Sequence, residues 1–446
     1  MAICDLRSCL DALRRAGEVY EIRREVDPVR ELGAVLRACE RADKAAFFHR
    51  VRCHDIPVVG GVLASQRRIA LALECAPAEV ADRMGGATER PQPPVPYQGP
   101  APCQEVVSKP PLDLRRWPIP THSPLDAGPF VTAGVAIARD PDSGRHNLSY
   151  NRMQVYGPER AGVNINIWRH LKLFFDPLEA QGRNLPFCVA IGPDPAVMMA
   201  AAFRYDGDEY EIAGALRGAP ISVVRALTCD VLVPAWTEIV LECELLAGER
   251  ELEGPMAEFT GHYSGAEMRH VARVNAITHR QNPIFQTMVG GGFEHVSLGN
   301  MITREPLLTR FIRHVTTRLK AVHLPPYAAG FTALVSLDRP GPGEARNVAL
   351  AAMAAHVNIK TVIVVDGDVD VYDPADVMWA LATRVRWQED LVAIPGVHGN
   401  ELDPTADPHG IQCKVIIDAT LSADQAERYI KVTYPPADLA SYLEPE

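Results

Sequence analysis

The stretch FVTAGVAIAR, residues 130–139, opens the part of the chain that decides the fold. Short apolar segments of the same kind recur after it, with turn residues between them: NLSYNRMQVYG (147–157), NLPFCVAIG (184–192), PISVVRAL (220–227) and TEIVLECELL (237–246). Many short strands separated by glycine and proline are typical of antiparallel β domains and barrels. We therefore predict a mainly antiparallel, barrel-like sheet over residues 130–260.

The chain before this sheet alternates between helix and strand patterns. Residues 5–16 predict a helix, because Asp5 can cap its start and Gly17 can end it. Further elements follow in the order strand, helix, strand, strand, helix: VYEI (19–22), the stretch with Val29, Leu32, Leu36 and Cys39 on one side, AAFFHRVR (45–52), IPVVGGVL (56–63) and 77–84. This alternation predicts a small α/β domain over residues 1–105.

A proline-rich stretch connects these two regions. Ten prolines fall between residues 91 and 120, and each removes a backbone donor and fixes φ. Neither a helix nor a central strand is expected to persist there. The stretch is either a disordered linker or an ordered, extended connection. We favour the second, because apolar Trp117 and Ile119 can anchor its end.

The pattern changes again after about residue 305. Helical and strand-like segments alternate there: VALAAMAAHV (348–357), TVIVVD (361–366), VMWALATRVR (377–386) and KVIIDAT (414–420). Apolar strands that alternate with helices indicate an α/β domain with largely parallel pairing. The expected fold class is therefore a multidomain α/β protein, with domains at 1–105, 106–305 and 306–446.

Composition limits the classes of function. The chain has 446 residues and a net charge of −11, from 45 basic and 56 acidic side chains. This balance argues against general nucleic-acid binding, which needs basic surface. The N-terminus lacks a signal-peptide pattern, no apolar run reaches the length of a membrane span, and the ten cysteines form no CxxC pair. We expect a cytoplasmic protein with mostly buried, reduced thiols and no membrane contact.

The densest chemical stretch is ERELEGPMAEFTG, residues 249–261. Glu253 and Glu258 flank Gly254-Pro255, and the proline disfavours a continuous helix, so both carboxylates can face one cavity from a loop. Two neighbouring carboxylates do not ionise equally easily, so one of them can hold a proton and donate it. The alternative is a solvated acidic loop, although apolar residues between the acids indicate burial.

A second polar stretch is NLSYNRMQ, residues 147–154. In a strand, one face would carry Asn147, Ser149 and Asn151, and the other Tyr150 and Arg152. The Asn147 amide offers an oxygen ligand, and the planar fork of Arg152 suits a carboxylate or phosphate. A polar edge strand accounts for the pattern equally well.

Other features are ambiguous when each is taken alone. His170 and Glu209 are residue types that are more often structural or solvated than functional. Gly290-Gly291-Gly292 could admit a phosphate, but a plain turn explains it better because no predicted helix directly follows. The chain contains no P-loop, HExxH or GxSxG motif.

Taken together and in order, these features resemble the UbiD-type decarboxylase family. That family has an Asn and an Arg five residues apart, a His eighteen residues later, a Glu before an AGAL-like run, and an E-x4-E around Gly-Pro followed by FTG. The matching residues are Asn147, Arg152, His170, Glu209, Glu253 and Glu258, with AGAL at 213–216. Residues 365–384, VDGDVDVYDPADVMWALATR, match the C-terminal signature of the family. The resemblance covers nearly the whole chain.

The resemblance implies a carboxy-lyase that acts on an unsaturated or aromatic acid. It implies an N-terminal α/β domain, a flavin-binding split β-barrel and a C-terminal α/β domain, assembled as a homo-oligomer, either dimer or hexamer. The implied cofactor is prenylated FMN, supplied by a separate UbiX-type flavin prenyltransferase, with Mn²⁺ or Mg²⁺ and K⁺ at its phosphate.

The resemblance also implies the roles of single residues. The metal ligands are Asn147, His170 and Glu209. The catalytic network is Arg152, Glu253 and Glu258, with Glu258 as proton donor. The cofactor contacts are Ser149, Tyr150, Arg152 and Lys360.

The substrate is expected to be a heteroaromatic acid such as furan-2,5-dicarboxylate or pyrrole-2-carboxylate. His295 falls where some family members place a ring-contacting histidine, and Arg304 could receive a second carboxylate. A loop histidine and a surface arginine are the plain alternatives for these two residues. Three other functions stay open: a decarboxylase of phenolic or acrylic acids, a non-catalytic flavin-binding or assembly partner, and a metal-dependent hydrolase.

Overall fold

The computed structural model describes residues 3–165, 170–435 and 442, and it divides into two compact units. The first unit comprises Met1–Leu307, Leu324–Gly330 and Glu401–Pro404, and the second comprises Leu308–His323, Phe331–Asn400 and Thr405–Glu446. Both units mix helices with sheets, so the predicted multidomain α/β class is confirmed. The division into three domains near residues 105 and 305 stays a prediction.

The strands of the first unit are short except for one long hairpin. They are β1 Val19–Ile22, β2 Ala45–Phe48, β3 Val58–Gly60, β4 Val95–Pro96, β5 Val106–Ser108, β6 Phe130–Val131, β7 Val135–Arg139, β8 His146–Tyr150, β9 Met153–Val155, β10 Arg160–Val163, β11 Leu185–Ile191, β12 Ser222–Arg225, β13 Leu232–Pro234, β14 Ile239–Glu253, β15 Glu267–His279 and β16 Phe285–Gln286. The strands of the second unit are β17 Leu319–His323, β18 Thr332–Leu337, β19 Thr361–Asp366, β20 Leu391–His398 and β21 Ile411–Ala419.

Helices connect these strands. They are α1 Leu6–Arg15, α2 Glu31–Arg41, α3 Gln66–Ala72, α4 Val80–Gly86, α5 His170–Glu179, α6 Pro195–Ala200, α7 Glu209–Arg217, α8 Phe293–Val296, α9 Ile302–Arg313, α10 Glu344–Ala355, α11 Pro374–Arg384 and α12 Ala423–Arg428. A π-helical turn, Ser297–Met301, joins α8 to α9. In the part of the chain that the structure describes, no helix is long and apolar enough to cross a membrane.

The largest sheet is antiparallel and contains most of the strands predicted from residues 130–260, but PISVVRAL (220–227) forms β12, which pairs with β13 and β4 in a separate sheet. The strand order of the largest sheet is β6-β9-β10-β15-β14-β11-β7-β8, with β5 also paired to β15, and this sheet curls into a half-barrel. Because successive side chains on a strand point to opposite faces, β7 sends Val135 and Ile137 into one apolar core and Ala136 and Ala138 into another. Apolar packing on both faces therefore holds the strands from which the polar residues project.

The N-terminal elements form as predicted, with shorter strands. Asp5 caps α1 by accepting a hydrogen bond from the Ser8 amide at 2.8 Å. β1, β2, β3 and β16 form a four-stranded sheet in that order. The predicted strand 45–52 ends at Phe48, because the chain then turns so that Val51 bridges to Val26.

The proline-rich stretch is ordered and extended. β4 pairs in parallel with β12, and the Cys103 amide donates to the Ala235 carbonyl at 2.9 Å. Trp117 packs edge-on against His279 at 5.3 Å between ring centroids, and Ile119 is buried. Trp117 and Ile119 thus anchor the end of the connection, as predicted.

The sheet of the second unit is less uniformly parallel than predicted. Its order is β17-β18-β19-β21-β20, and only β18, β19 and β21 run parallel. The outer strands β17 and β20 are antiparallel, and β20 was not predicted because its side chains are mostly exposed. Arg384 at the end of α11 binds Asp366 and Asp368, each at 2.7 Å, which joins the two ends of the 365–384 signature.

Candidate active site

Three charged side chains meet at the end of the half-barrel. β8 ends at Tyr150, and Arg152 lies in the two-residue break before β9. Glu253 is the last residue of β14, and Glu258 lies on the loop between β14 and β15. The sheet brings them together although about a hundred residues separate them in sequence. We call Arg152, Glu253 and Glu258 the arginine cluster.

The two carboxylates of this cluster are held differently. Arg152 donates to both oxygens of Glu253, from Nε at 2.7 Å and from Nη2 at 2.9 Å. Its Nη1 donates a short hydrogen bond to Glu258 Oε1, and Nη2 also donates to Ser264 Oγ at 3.2 Å. The Glu253 side chain is 1% exposed and that of Glu258 is 16% exposed. Glu253 is therefore fixed by a bidentate pair, while Glu258 has one contact with Arg152 and access to the surroundings.

The electrostatics of the cluster favour a permanent cation. Burial opposes the charge of Arg152, but the hydrogen bonds and charges of Glu253 and Glu258 outweigh it and raise the pKa of Arg152. A guanidinium has five N–H groups, and Arg152 uses four of them on described residues. One N–H on Nη1 is left for an oxygen of a bound acid.

Backbone contacts fix the loop that carries Glu258. The Ala257 amide donates to Asp126 Oδ1 at 3.0 Å, and the Gly254 amide donates to Gln154 Oε1 at 2.9 Å. Ser264 Oγ donates to the Met256 carbonyl at 3.1 Å. Asp126 and Ser264 were not predicted as parts of the site, because neither belongs to a motif and both bind backbone groups of this loop.

The predicted metal ligands also lie together. The Asn147 amide nitrogen lies 3.0 Å from Glu209 Oε1 and 3.4 Å from His170 Nδ1, and His170 Nδ1 lies 3.7 Å from the same Glu209 oxygen. β8 provides Asn147, while His170 and Glu209 are the first residues of α5 and α7. We call these three residues the amide cluster.

Glu209 is a buried carboxylate whose Oε1 lies 3.7 Å from His170 Nδ1, beyond hydrogen-bond distance. It accepts hydrogen bonds from the Asn147 amide and the Leu148 backbone, which are both neutral. Burial raises its pKa to about 8, and these hydrogen bonds oppose the shift. A divalent cation would supply the missing positive charge, so the residues fit one. Asn147 would have to turn its amide, because its oxygen now accepts from Ser149 Oγ at 3.3 Å.

No three His, Cys, Asp or Glu side chains are arranged to hold a metal ion within the described ranges. With its amide turned, Asn147 would provide an oxygen as a third donor beside His170 and Glu209. A set of amide, imidazole and carboxylate donors suits a fairly hard ion such as Mn²⁺ or Mg²⁺.

The predicted alternation along 147–152 is present. Asn151 donates to Ser149 Oγ at 2.8 Å, and Ser149 to Asn147, so these three share one face. Tyr150 points the other way and donates to the Met198 carbonyl at 2.9 Å. Burial raises the pKa of Tyr150 well above its ordinary value.

His295, Arg304 and Lys360 were predicted to contact the substrate or the cofactor, and the structure gives each a different environment. His295 lies near the arginine cluster, with its ring edge-on to Phe259 at 6.2 Å, and burial lowers its pKa while Glu258 opposes that shift. Arg304 is a half-buried residue of α9. Lys360 belongs to the second unit, where it donates to Thr405 at 2.5 Å. The roles given to these three residues stay predictions.

The triple glycine serves close backbone packing. A Cβ on Gly290 would lie 2.2 Å from the Ala257 carbonyl oxygen. Gly291 has φ +70°, and a Cβ there would lie 2.9 Å from the Glu258 carbonyl oxygen. These glycines face the loop of Glu258, and a short helix, α8, follows them, contrary to the expectation that no helix does.

Comparison with protein families places the chain. Residues 10–88, 96–293 and 298–419 match the N-terminal, Rift-related and C-terminal domains of 3-octaprenyl-4-hydroxybenzoate carboxy-lyase. Anhydromevalonate phosphate decarboxylase of Methanothermobacter thermautotrophicus is 34% identical over 431 residues, covering 96% of this chain and 99% of that protein. Phenolic acid decarboxylase of Bacillus subtilis is 33% identical over 448 residues, covering 94% and 93%.

Solved structures agree with this placement. The UbiD-class enzyme HmfF from Pelotomaculum thermopropionicum, in complex with FMN, has a TM-score of 0.93 and 38% identity, covering 98% of this chain and all of that one. An evolved dimeric form of HmfF, in complex with prFMN, has a TM-score of 0.88 and 36% identity, with the same coverage. The fold and the site thus define a carboxy-lyase. The chain belongs to the UbiD family.

Proposed function

We propose that this carboxy-lyase uses prenylated FMN to remove CO₂ from a heteroaromatic carboxylic acid. The observation that carries the proposal is the arginine cluster, in which one buried guanidinium holds two carboxylates and keeps one N–H for a substrate oxygen. The binding of FMN and prFMN by HmfF supports the choice of cofactor. A UbiX-type flavin prenyltransferase supplies it.

Each residue of the arginine cluster has a distinct task. Arg152 orients the carboxylate of the substrate through its remaining Nη1 N–H. Glu253 fixes the guanidinium by its bidentate contact. Glu258, the more exposed of the two acids, delivers a proton to the carbon that CO₂ has left. The overall change is the exchange of a carboxylate for a hydrogen, with CO₂ as the other product.

The amide cluster holds the cofactor through a cation. Asn147, His170 and Glu209 would hold Mn²⁺ or Mg²⁺, and this ion, together with K⁺, would neutralise the charge of the cofactor phosphate. Within the first unit, Ser149, Tyr150 and Arg152 would contact the cofactor. When bound, prenylated FMN provides an electron sink for the pair of electrons that CO₂ leaves behind.

The substrate is a five-membered-ring acid, such as furan-2,5-dicarboxylate or pyrrole-2-carboxylate. The proximity of His295 to Glu258 and Arg152 supports a ring contact by the imidazole. Arg304 receives the second carboxylate of a dicarboxylic acid. A phenolic acid is the second candidate, because a relative of similar identity is a phenolic acid decarboxylase. The enzyme works in the cytoplasm as a homo-oligomer.

A substrate panel tests this proposal. The protein is produced together with a flavin prenyltransferase and incubated with furan-2,5-dicarboxylate, pyrrole-2-carboxylate, 3,4-dihydroxybenzoate and cinnamate, and CO₂ release is measured. We expect the fastest release from a five-membered-ring acid, and a loss of about tenfold in kcat/KM for that acid in His295→Asn. Release from the phenolic acid alone would select the second candidate, and no turnover of either ring acid would contradict the substrate class.

A further inference from the structure

Two buried carboxylates behind the arginine cluster have no part in the proposed chemistry. Glu40, near the end of α2, is 1% exposed, and Glu294, in α8, is 0% exposed. Both belong to the first unit. Buried carboxylates are costly unless their oxygens are fully bonded, so their partners indicate what they are for.

Both side-chain oxygens of Glu294 accept hydrogen bonds from backbone amides of the β3–α3 loop. Oε2 accepts from the Gly61 amide at 2.7 Å, and Oε1 accepts from the Leu63 amide at 2.8 Å. One side chain thereby ties the segment that contains His295 to a loop more than two hundred residues away in sequence.

Glu40 holds the same segment from another side. Its Oε2 accepts from the Phe293 amide at 2.9 Å, and its Oε1 accepts from the Glu294 amide at 3.2 Å. Arg37 donates to Glu40 at 3.2 Å and lies over the Phe293 ring at 4.3 Å. We call the contacts of Glu40 and Glu294 the clamp.

The clamped segment touches the loop of Glu258 directly. Gly290 and Gly291 lie so close to the carbonyls of Ala257 and Glu258 that a methyl group would not fit at either position. A Cβ on Gly292 would lie 2.7 Å from Glu40 Oε2. Backbone therefore packs against backbone from the clamp to the proposed proton donor, and a shift of the segment moves the loop.

We propose that Glu294 is a positioning residue that sets the place of Glu258 and His295. The expected effect on turnover rests on the proposed function. The expected effect on the position of the loop does not. Substitution of Glu294 by Gln keeps the volume, removes one acceptor and puts an N–H₂ group against a backbone N–H. The segment then loses one of its ties while the arginine cluster keeps every side chain.

The ionisation of the clamp is consistent with this role. Burial raises the pKa of Glu294 to about 7, with Glu40 adding to the shift, and the amides of Leu63 and Gly61 oppose it. Burial likewise raises the pKa of Glu40, opposed by the amides of Phe293 and Glu294. Backbone amides thus help to stabilise both carboxylates, together with Arg37 at Glu40 and the charge of Arg68 near Glu294.

Hydrogen–deuterium exchange of the whole protein tests the clamp without any assay of activity. In Glu294→Gln we expect exchange about tenfold faster in residues 289–296 and also in 256–262, with β11 unchanged. The matched control is Glu242→Gln, because Glu242 is equally buried and accepts from the Leu227 and Thr228 amides at 2.9 and 2.6 Å, away from this segment. It should leave 256–262 unchanged.

Two results would overturn the inference. Exchange in 256–262 could stay at the wild-type rate while 289–296 accelerates, which would show that the segment does not hold the loop. The Glu242→Gln variant could accelerate 256–262 to the same degree. Faster exchange in β11 would show that Glu294→Gln destabilises the whole protein. Glu40→Gln is then tested in its place, with the same expected result in 256–262.

Kinetics then separate positioning from folding. In the cofactor-loaded enzyme we expect Glu294→Gln to lower kcat by about 10- to 100-fold with flavin absorbance unchanged, because small displacements of a reacting group have effects of that size. An unchanged kcat contradicts the positioning role. If the wild-type enzyme releases CO₂ from no acid, the proposed function fails, while the exchange experiment still decides the clamp.

Discussion

The arginine cluster and the amide cluster begin at the two ends of one short run, residues 147–152, and balance charge in opposite ways. In the arginine cluster a cation with a raised pKa binds both carboxylates. In the amide cluster the buried carboxylate of Glu209 has neutral amide donors. The first cluster thus contains a permanent cation, and a bound metal ion would give one to the second. This difference supports our proposal that the first cluster carries out the chemistry and that the second retains the cofactor.

Substitution of the proton donor gives the largest expected effect. Glu258→Gln keeps an acceptor for Arg152 but removes the acid, so we expect turnover to be abolished, a fall of about 10³-fold or more in kcat. Bound flavin, measured by absorbance, should stay at the wild-type level because the amide cluster is intact. Wild-type-like turnover would remove Glu258 from its role.

Substitution in the amide cluster should show the reverse pattern. Glu209→Gln removes the charge that calls for a cation, and His170→Ala removes a ligand, so we expect about 100-fold weaker metal binding and depleted cofactor. Metal analysis and flavin absorbance of the purified protein measure both. Glu211→Gln, two residues further along α7, is the control and should keep its cofactor. Full occupancy in Glu209→Gln and His170→Ala would refute the metal role.

The smallest expected effect concerns His122, a buried residue of the first unit. His122 is buried, bonds Thr287 Oγ1 at 2.8 Å, and has a pKa lowered to about 4 by burial, opposed by Asp126. The unfolded state, with its ordinary histidine pKa of about 6.5, binds the proton more tightly between these values. His122 therefore contributes stability that is fully present above pH 6.5 and is lost as the pH falls toward 4.

Denaturant unfolding at several pH values measures this contribution. Between pH 6.5 and 5, the free energy of unfolding should fall by about 1.5 kcal/mol less in His122→Gln than in wild type. The control is His409→Gln, at an exposed position, which should keep the wild-type pH dependence. An equal slope in wild type and His122→Gln would contradict the buried, neutral imidazole.

Local chemistry made much of this molecule predictable. The cap of α1, the alternation along 147–151 and the buried strand β19 follow from side chains close together in sequence. The order of the motifs along the chain, and their resemblance to the family, predicted that Arg152 acts together with Glu253 and Glu258. These features were predictable because each depends either on residues close together in sequence or on a motif of the family.

Long-range backbone packing could not be predicted in the same way. Asp126 and Ser264 support the Glu258 loop through contacts that no spacing encodes, and the glycines at 290–292 were interpreted as a turn. The antiparallel edge strand β20 is largely exposed, so it lacks the apolar run that reveals β19. In each case the deciding neighbour is distant in the chain.

We propose that this chain decarboxylates its substrate only with prenylated FMN. CO₂ release from the preferred panel acid can be compared between protein produced with and without a flavin prenyltransferase, at equal protein concentration. We expect release only from the protein made with the prenyltransferase. Equal release from both preparations would contradict it and would favour a hydrolytic or other cofactor-free site.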